Sequence, residues 1–271
     1  MKPIAVRYDS LAQHDAATLM TVARGLEVLR AFRSDRSALT NAELVRRTGL
    51  PKATISRLTS TLLHVGFLRL VPGKRGFELS TGALGIGHAY LATNDLLQAA
   101  QPLMQALADQ LGVSVALGIQ DGIDVLYVGY CVSRKVATLR LGVGSVLPMA
   151  TTSIGRAYLW GLPLARRRAL IDEHKRRAGA PHDVALEASL RASFAELESE
   201  GTCAVLGGYQ RGTYGVALPI HVGRQGMLMS MSCGKADVDL DLPSERARIA
   251  PALKDTATRL QALLSKFEES L

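Results

Sequence analysis

The stretch from Thr40 to Leu68, TNAELVRRTGLPKATISRLTSTLLHVGFL, limits what this chain can fold into more than any other. Thr40 is a helix N-cap, and Glu43 three residues on completes a capping box. Leu44 and Val45 give that short helix a face to bury. Gly49 ends it, because the turn that follows needs a residue free to adopt positive φ. Pro51 is expected at the first position of the next helix, where a missing N–H is harmless. At about 100° per residue, Ile55, Leu58, Leu62 and Val65 share one side of that helix. The opposite side carries Ala53, Ser56, Arg57 and Ser60, flanked by Lys52. Two short helices joined by a glycine turn, the second with a small, polar, cationic face, make a helix-turn-helix.

The flanks extend the unit. Val22, Leu26, Leu29 and Phe32 recur at helical spacing and predict a helix over Thr21–Ser34. After Gly66, Phe67–Val71 and Phe77–Leu79 read as strands around the turn Pro72–Gly76, whose tip carries Lys74 and Arg75. The whole is a winged helix-turn-helix. A major groove about 12 Å wide admits one helix whose exposed side chains reach base edges. Lys52, Thr54, Ser56 and Arg57 suit that role, and Arg57 can donate two hydrogen bonds to guanine. Arg24, Lys74 and Arg75 are placed to neutralise phosphates, which fixes docking without reading sequence.

Charge points the same way. Residues 1–90 hold 13 Lys+Arg against 6 Asp+Glu, whereas the remainder hold 19 against 18. The basic excess therefore sits on the small N-terminal part, as expected for a nucleic-acid module attached to a nearly neutral one.

Beyond the wing, Leu84–Leu111 is helical in pattern with a break near Thr93–Asp95. Val113–Ile119 and Val125–Tyr130 flank Asp121-Gly122 and predict a hairpin. Ala137–Leu141 reads as a third strand, Thr152–Trp160 and Leu164–Ala178 as helices, and Leu186–Glu200 as a longer helix. Tyr214–Val222 and Gly226–Cys233 form a second hairpin before a C-terminal helix over Ser244–Phe267. The expectation is an α/β chain of two domains: an arm at 1–17, the winged helix-turn-helix at 18–80, a linker helix at 81–94, and an α/β domain at 95–271 with a mainly antiparallel sheet.

In that second domain, Pro148–Arg156 joins a strand to a helix through three hydroxyl residues. Free N–H groups at a helix start, with the helix dipole behind them, bind carboxylates. Thr151, Thr152, Ser153 and the Ile154 N–H are thus candidates to hold an acid, with Met149, Val205, Leu206, Met229 and Met231 as apolar walls.

Other chemistry finds little footing. The close glycines of GALGIGHAY follow no convincing strand, and no GxxxxGK[ST] or HExxH occurs. Cys131, Cys203 and Cys233 are far apart, without a CxxC or a histidine cluster, so no metal, cofactor or disulfide framework is expected. Cys203 with His221 or His182 as base is the one nucleophile to weigh against the binding reading. No apolar run approaches the roughly 20 residues that span a bilayer, and the N-terminus has no leader-like apolar core, so a cytoplasmic address without membrane contact is expected.

The stretch ARGLEVLRAF, the run LTNAELVRRTGLPKATISRLTSTLLHVGFLRLVPGKRGFELSTGALGIG, and above all GLPKATISRL resemble the N-terminal domain of IclR-type regulators. LRLGVGSVLPMATTSIGRAYL, EGTCAV, YGVALPI and the strand ending in SCG resemble segments of that family's second domain, so the likeness spans about 20–265. The resemblance implies a bacterial transcription factor rather than an enzyme. It implies a GAF/PAS-like effector-binding and oligomerisation domain, assembly as a dimer or tetramer on a palindromic or pseudo-palindromic operator, and control by a small organic or aromatic acid. Where many members carry acidic residues after the glycine aligned with Gly201, this chain has Val205, Leu206, Gly207 and Gly208, with Gly215 beyond. A less polar, roomier wall is expected there, and with it an aromatic or medium-sized carboxylic acid.

Overall fold

The structure is a computed structural model that describes residues 19–33, 38–134, 136, 141–178, 180–236, 241–265 and 267, the side chains of 177–183 excepted. The expected arm at 1–17, Ser34, and residues 137–140 of the expected third strand lie outside the described residues. The chain divides into two compact units, one reaching to Thr93 and the other starting at Asn94.

The first unit holds α1 (Met20–Arg30), α2 (Asn41–Thr48), α3 (Lys52–His64), β1 (Leu68–Leu70), β2 (Phe77–Leu79) and α4 (Thr81–Ala92). The capping box forms: the Glu43 N–H donates to Thr40 Oγ1 and the Thr40 N–H to Glu43 Oε2, both at 3.2 Å. Gly49 closes α2 at φ 72°. Val28, Leu39, Leu44, Ile55, Leu62 and Phe77 make the core. Each such side chain, buried, contributes roughly 1.5–3 kcal/mol. Arg47 is buried and donates to the Ala31 carbonyl at 2.8 Å, tying α2 to the end of α1. β1 and β2 pair antiparallel, and Leu39 bridges to Phe77, so the wing is stitched to the loop before α2.

Three expectations shift. Pro51 is the N-cap of α3, one residue outside the helix. Val65 is 54% exposed, because the helix ends before it and Gly66 at φ 77° turns the chain away. On α1 the core takes Val28 and Ala31, which leaves Val22 and Leu26 in solvent. The apolar run Leu84–Leu97 likewise splits at the unit boundary. Leu84 and Ile86 on α4 are exposed and no residue of α4 is buried, while Leu96 and Leu97 enter the second core.

The second unit holds α5 (Asp95–Leu111), β3 (Ser114–Asp121), β4 (Asp124–Val132), β5 (Val146–Pro148), α6 (Ser153–Gly161), α7 (Leu164–Ala178), α8 (Ala180–Glu200), β6 (Cys203–Leu206), β7 (Thr213–Val222), β8 (Met227–Ala236) and α9 (Leu242–Leu264). Its strands form one sheet in the order β5-β4-β3-β8-β7-β6, antiparallel at every pairing. The short strands β5 and β6 are additions to the two hairpins read from the sequence. α8 starts six residues before the expected Leu186, and α9 spans Leu242–Leu264 rather than Ser244–Phe267.

Strand alternation sorts the two faces. Leu117 lies with Gly129 against Met104 of α5, and the next residue, Gly118, lies under Ile154 of α6. α5 and α9 therefore cover one face, and α6, with α8 packed on it, covers the other.

Candidate functional site

Two regions carry functional chemistry. The first is the exposed side of α3. Lys52, Ser56, Arg57 and Ser60 are exposed, and Thr54 is half-buried beside Ile55, which is anchored in the core. Pro51 offers neither an N–H nor a side-chain cap, so the first amides of α3 are open to solvent and point at whatever docks there. Lys74 and Arg75 are exposed at the wing tip, and Arg24 is exposed on α1. Two further cations lie nearby in sequence. Arg69 is paired to Glu78 at 2.8 Å across the wing, and Arg46 is exposed on the last turn of α2. Arg46 is absent from the residues expected to meet DNA, although its place beside the buried Arg47 on an amphipathic helix was legible.

The second region is a cavity of about 60 Å³ between the sheet and the start of α6. That admits a few waters and is less than half the roughly 150 Å³ of a cavity that takes benzene. Its walls include Ala116, Tyr127 and Leu147 from one side of the sheet and Gly215, Ser232 and Gly234 from the other. Thr152, Ser153 and Ile154 close it from the helix start, and Val205 and Tyr209 from the β6 side. No charged side chain lines it among the described residues.

The three hydroxyl residues do different things here. Thr151 is exposed and donates to the Gly208 carbonyl at 2.8 Å, outside the cavity. Thr152 donates to the Pro148 carbonyl at 2.7 Å and accepts the Gly155 N–H at 3.3 Å, so its hydroxyl is the N-cap of α6 and its proton is occupied. Ser153 is the one that faces the cavity: its Oγ stands where a side chain on Gly215 would have to go. The N–H groups of Ser153 and Ile154, first in the helix, have no intrahelical acceptor. Behind this start, the buried Arg156 donates to the Ala150 carbonyl at 3.0 Å, to the Ser189 carbonyl at 3.2 Å and to Ser193 Oγ at 2.9 Å. It locks the loop and α8 together, and burial holds its pKa below the usual guanidinium range.

Of the walls expected from sequence, Val205 lines the cavity, and Gly215 does so by admitting Ser153 rather than by leaving empty space. The others lie elsewhere. Leu206, one residue along the strand, points out and is 54% exposed. Met149 is wholly buried behind the helix start, with its backbone packed on Gly155. Met229 and Met231 are on the opposite face of β8. Met231 pairs with Leu117, which lies over Met104 of α5. In the run MLMSMSCG the face that meets the cavity is the alternate one, Ser232 and Gly234. Period-two alternation was visible in the sequence, but it does not say which face is which. The tyrosines had no sequence signal at all, since it is register that brings them to the cavity.

Two comparisons bear on identity. Residues 21–72 match the pattern described as the IclR helix-turn-helix domain, and residues 88–262 match that described as bacterial transcriptional regulator IclR C-terminal. The chain belongs to the IclR family of transcriptional regulators.

Among IclR-family relatives, the HTH-type transcriptional regulator TsaQ1/TsaQ2 of Comamonas testosteroni is 31% identical over 259 residues, covering 94% of this chain and 91% of its own. A crystal structure of an IclR family transcriptional regulator from Brucella abortus superposes with a TM-score of 0.80 at 32% identity, over 92% of this chain and 94% of that one. An IclR homolog from Microbacterium hydrocarbonoxydans, solved in complex with 4-hydroxybenzoate, shares the fold with a TM-score of 0.65 at 21% identity, over 90% and 98% of the two chains. These are regulators and not enzymes, and Cys203 in this IclR-family chain fits that. It is fully buried, its thiol donates to the Ser153 carbonyl at 3.5 Å, and burial pushes its pKa up to about 12. At neutral pH it is a thiol, whereas a nucleophile needs the thiolate. His221 is exposed on β7, and the side chain of His182 lies outside the described residues. Among the described residues no helix is long and apolar enough to cross a membrane.

Proposed function

We propose that this regulator reads a double-stranded DNA operator through α3 and the wing, and that a small carboxylic acid bound between the sheet and the start of α6 controls it. In this reading Arg57, Lys52, Thr54 and Ser56 face base edges, while Arg24, Lys74 and Arg75 hold phosphates. One such helix gives few base contacts. Two or four copies in a cytoplasmic homodimer or tetramer would place paired helices on a palindromic or pseudo-palindromic site. The exposed Val22, Leu26, Leu84 and Ile86 give the first unit an apolar surface for that pairing.

The observation that carries the acid is the start of α6. Ser153 and Ile154, whose N–H groups have no intrahelical acceptor, line a cavity with no charged side chain among the described residues, so a carboxylate there would meet donors and no repulsion. The 4-hydroxybenzoate held by the Microbacterium protein supports a carboxylic acid as the class of ligand in this fold. Binding to the native state alone raises apparent stability. Thermal shift of the full chain against carboxylic acids and their matched primary amides tests the reading: acids should raise Tm, amides much less, and the active acid should change operator affinity. A set in which only amines shift Tm would refute it.

A further inference from the structure

Sheet and helix make most of the cavity wall, but one side of it is a strap. Every lining residue except Leu141, Gly208 and Tyr209 lies in a strand, in α6 or at its cap. Gly208 and Tyr209 belong to residues 207–212, which join β6 to β7. Tyr209 is half-buried and packs on the core beneath. The neck of the strap is a hydrogen bond from the Gly207 N–H to the Thr213 carbonyl at 2.6 Å, and Gly207 and Gly212, at φ 70° and 73°, turn the chain at its two ends. Among the described residues, one hydrogen bond ties 208–212 to anything outside this hairpin: Thr151 Oγ1 donates to the Gly208 carbonyl at 2.8 Å. Gly208 is not at positive φ, so its backbone conformation would accept a side chain. What forbids one is the approach to α6: a Cβ there would run into the Thr151 carbonyl oxygen and stand 2.9 Å from Val205 Cγ1. The strap is therefore seated on the α6 start by one exposed bond and by the smallness of one residue.

The seated strap and a bound organic acid compete for the same space. Closed in this way the cavity measures about 60 Å³, against roughly 150 Å³ for one that takes benzene. A segment with few contacts opens at lower cost than a strand ladder or a packed helix, so the strap is the wall that yields. We infer that residues 207–212 are a gate, that Thr151 is its latch, and that an acid of ring size enters by lifting it. The inference rests on the acid site proposed at α6 and adds how that site is entered and what holds it shut. Closure then works against the ligand. Apparent affinity is the intrinsic affinity reduced by the fraction of molecules whose strap is lifted, so weakening the latch tightens binding. A hydroxyl that held the acid itself would do the reverse.

Thr151→Val keeps the shape of the side chain and removes the donor, and Gly208→Ala unseats the strap from its own side. Hydrogen exchange followed by mass spectrometry on the full chain without ligand reads the gate directly. Exchange over 207–213 should rise about twofold to tenfold in Thr151→Val, the contribution of one neutral hydrogen bond. It should rise further in Gly208→Ala and return to the original rate in Thr151→Ser. Calorimetry with benzoate reads the consequence: its Kd should fall in Thr151→Val by the same factor as exchange rises. Unchanged exchange in Thr151→Val, with benzoate bound as before, overturns the gate and leaves the acid site standing. So does faster exchange with unchanged affinity, since the strap then moves without gating. Weaker benzoate binding in Thr151→Val overturns it too, because Thr151 would then be a contact of the acid. If benzoate binds neither the unaltered protein nor either variant, a gate for ring-sized acids is overturned whatever the exchange rates, and the wider acid reading is decided separately by its thermal-shift set.

Discussion

Two helix starts in this molecule are proposed to face anions, and they are built in opposite ways. The start of α3 follows Pro51, has no side-chain cap, and stands in solvent among Lys52, Arg57 and the wing cations Lys74 and Arg75. The start of α6 is capped by Thr152, is closed over by the sheet, and has no cation on its cavity wall among the described residues; Arg156 lies behind it, bound to neutral oxygens. An exposed start gains affinity from mobile, full charges and from released counterions. A buried start works with fixed dipoles and selects by shape and hydrogen bonding. The same backbone geometry thus serves a polyanion read in solvent and a small anion read in a cavity.

Salt should separate the two most strongly. If α3 and the wing, in a dimer, meet six to ten phosphates, operator affinity should fall by about 10³–10⁵ between 50 and 200 mM salt. Acid affinity at α6, shielded from the ionic atmosphere, should change by no more than about threefold over that range. Fluorescence anisotropy on labelled operator and calorimetry on the acid give the two slopes. Parallel slopes would mean that the α6 site is an open, charge-driven surface, and the contrast would be lost.

At the α3 start, single substitutions should divide base reading from phosphate binding. Arg57→Ala should cost about 1–3 kcal/mol and flatten base preference at one position of the site. Lys74→Ala should weaken cognate and scrambled duplexes alike and reduce the salt slope by about one. An Arg57→Ala protein with undiminished base preference would move the reading contact to Lys52, Thr54 or Ser56.

The first unit was the more legible from sequence, for a physical reason. Its signals are local: Thr40 and Glu43 are three residues apart, Gly49 needs only its own φ, and the alternation of Ile55 and Leu62 with Ser56 and Arg57 belongs to one helix. What failed there concerned ends and surroundings, such as Val65 past the end of α3. The cavity depends on long-range pairing. Ser153 meets Gly215, and Tyr127 and Ser232 come to line one cavity, only once six strands have found their register, and nothing near Tyr127 in sequence reports that. Met229 and Met231 drew attention because they are apolar and alternate, yet alternation is symmetric between faces. Ser232, the neighbour that lines the cavity, lies on the other face of the same strand. The hydroxyl-rich helix start was local and readable, although three adjacent hydroxyls looked equivalent until hydrogen bonding told them apart.

That last distinction gives the smallest effect and the sharpest test at α6. Thr152 and Ser153 are neighbours with nearly the same chemistry, one working on the helix and the other facing the ligand. Thr152→Ala removes an N-cap that accepts the Gly155 N–H at 3.3 Å and leaves the Pro148 carbonyl without its donor. It should lower stability by about 0.5–2 kcal/mol, seen as a lower denaturation midpoint, with acid affinity reduced only through the loosened helix start. Ser153→Ala removes a hydroxyl that caps nothing. Its cost should appear mainly in acid affinity, by about 0.5–1.5 kcal/mol for one neutral hydrogen bond, or about twofold to tenfold. Gly215 keeps open the space that the Ser153 hydroxyl fills, so the alanine variant meets no clash. The measurement is therefore a crossed one: midpoint and affinity for each variant. If Ser153→Ala lowers the midpoint while binding acid normally, the Ser153 hydroxyl serves the fold and the carboxylate is held without it.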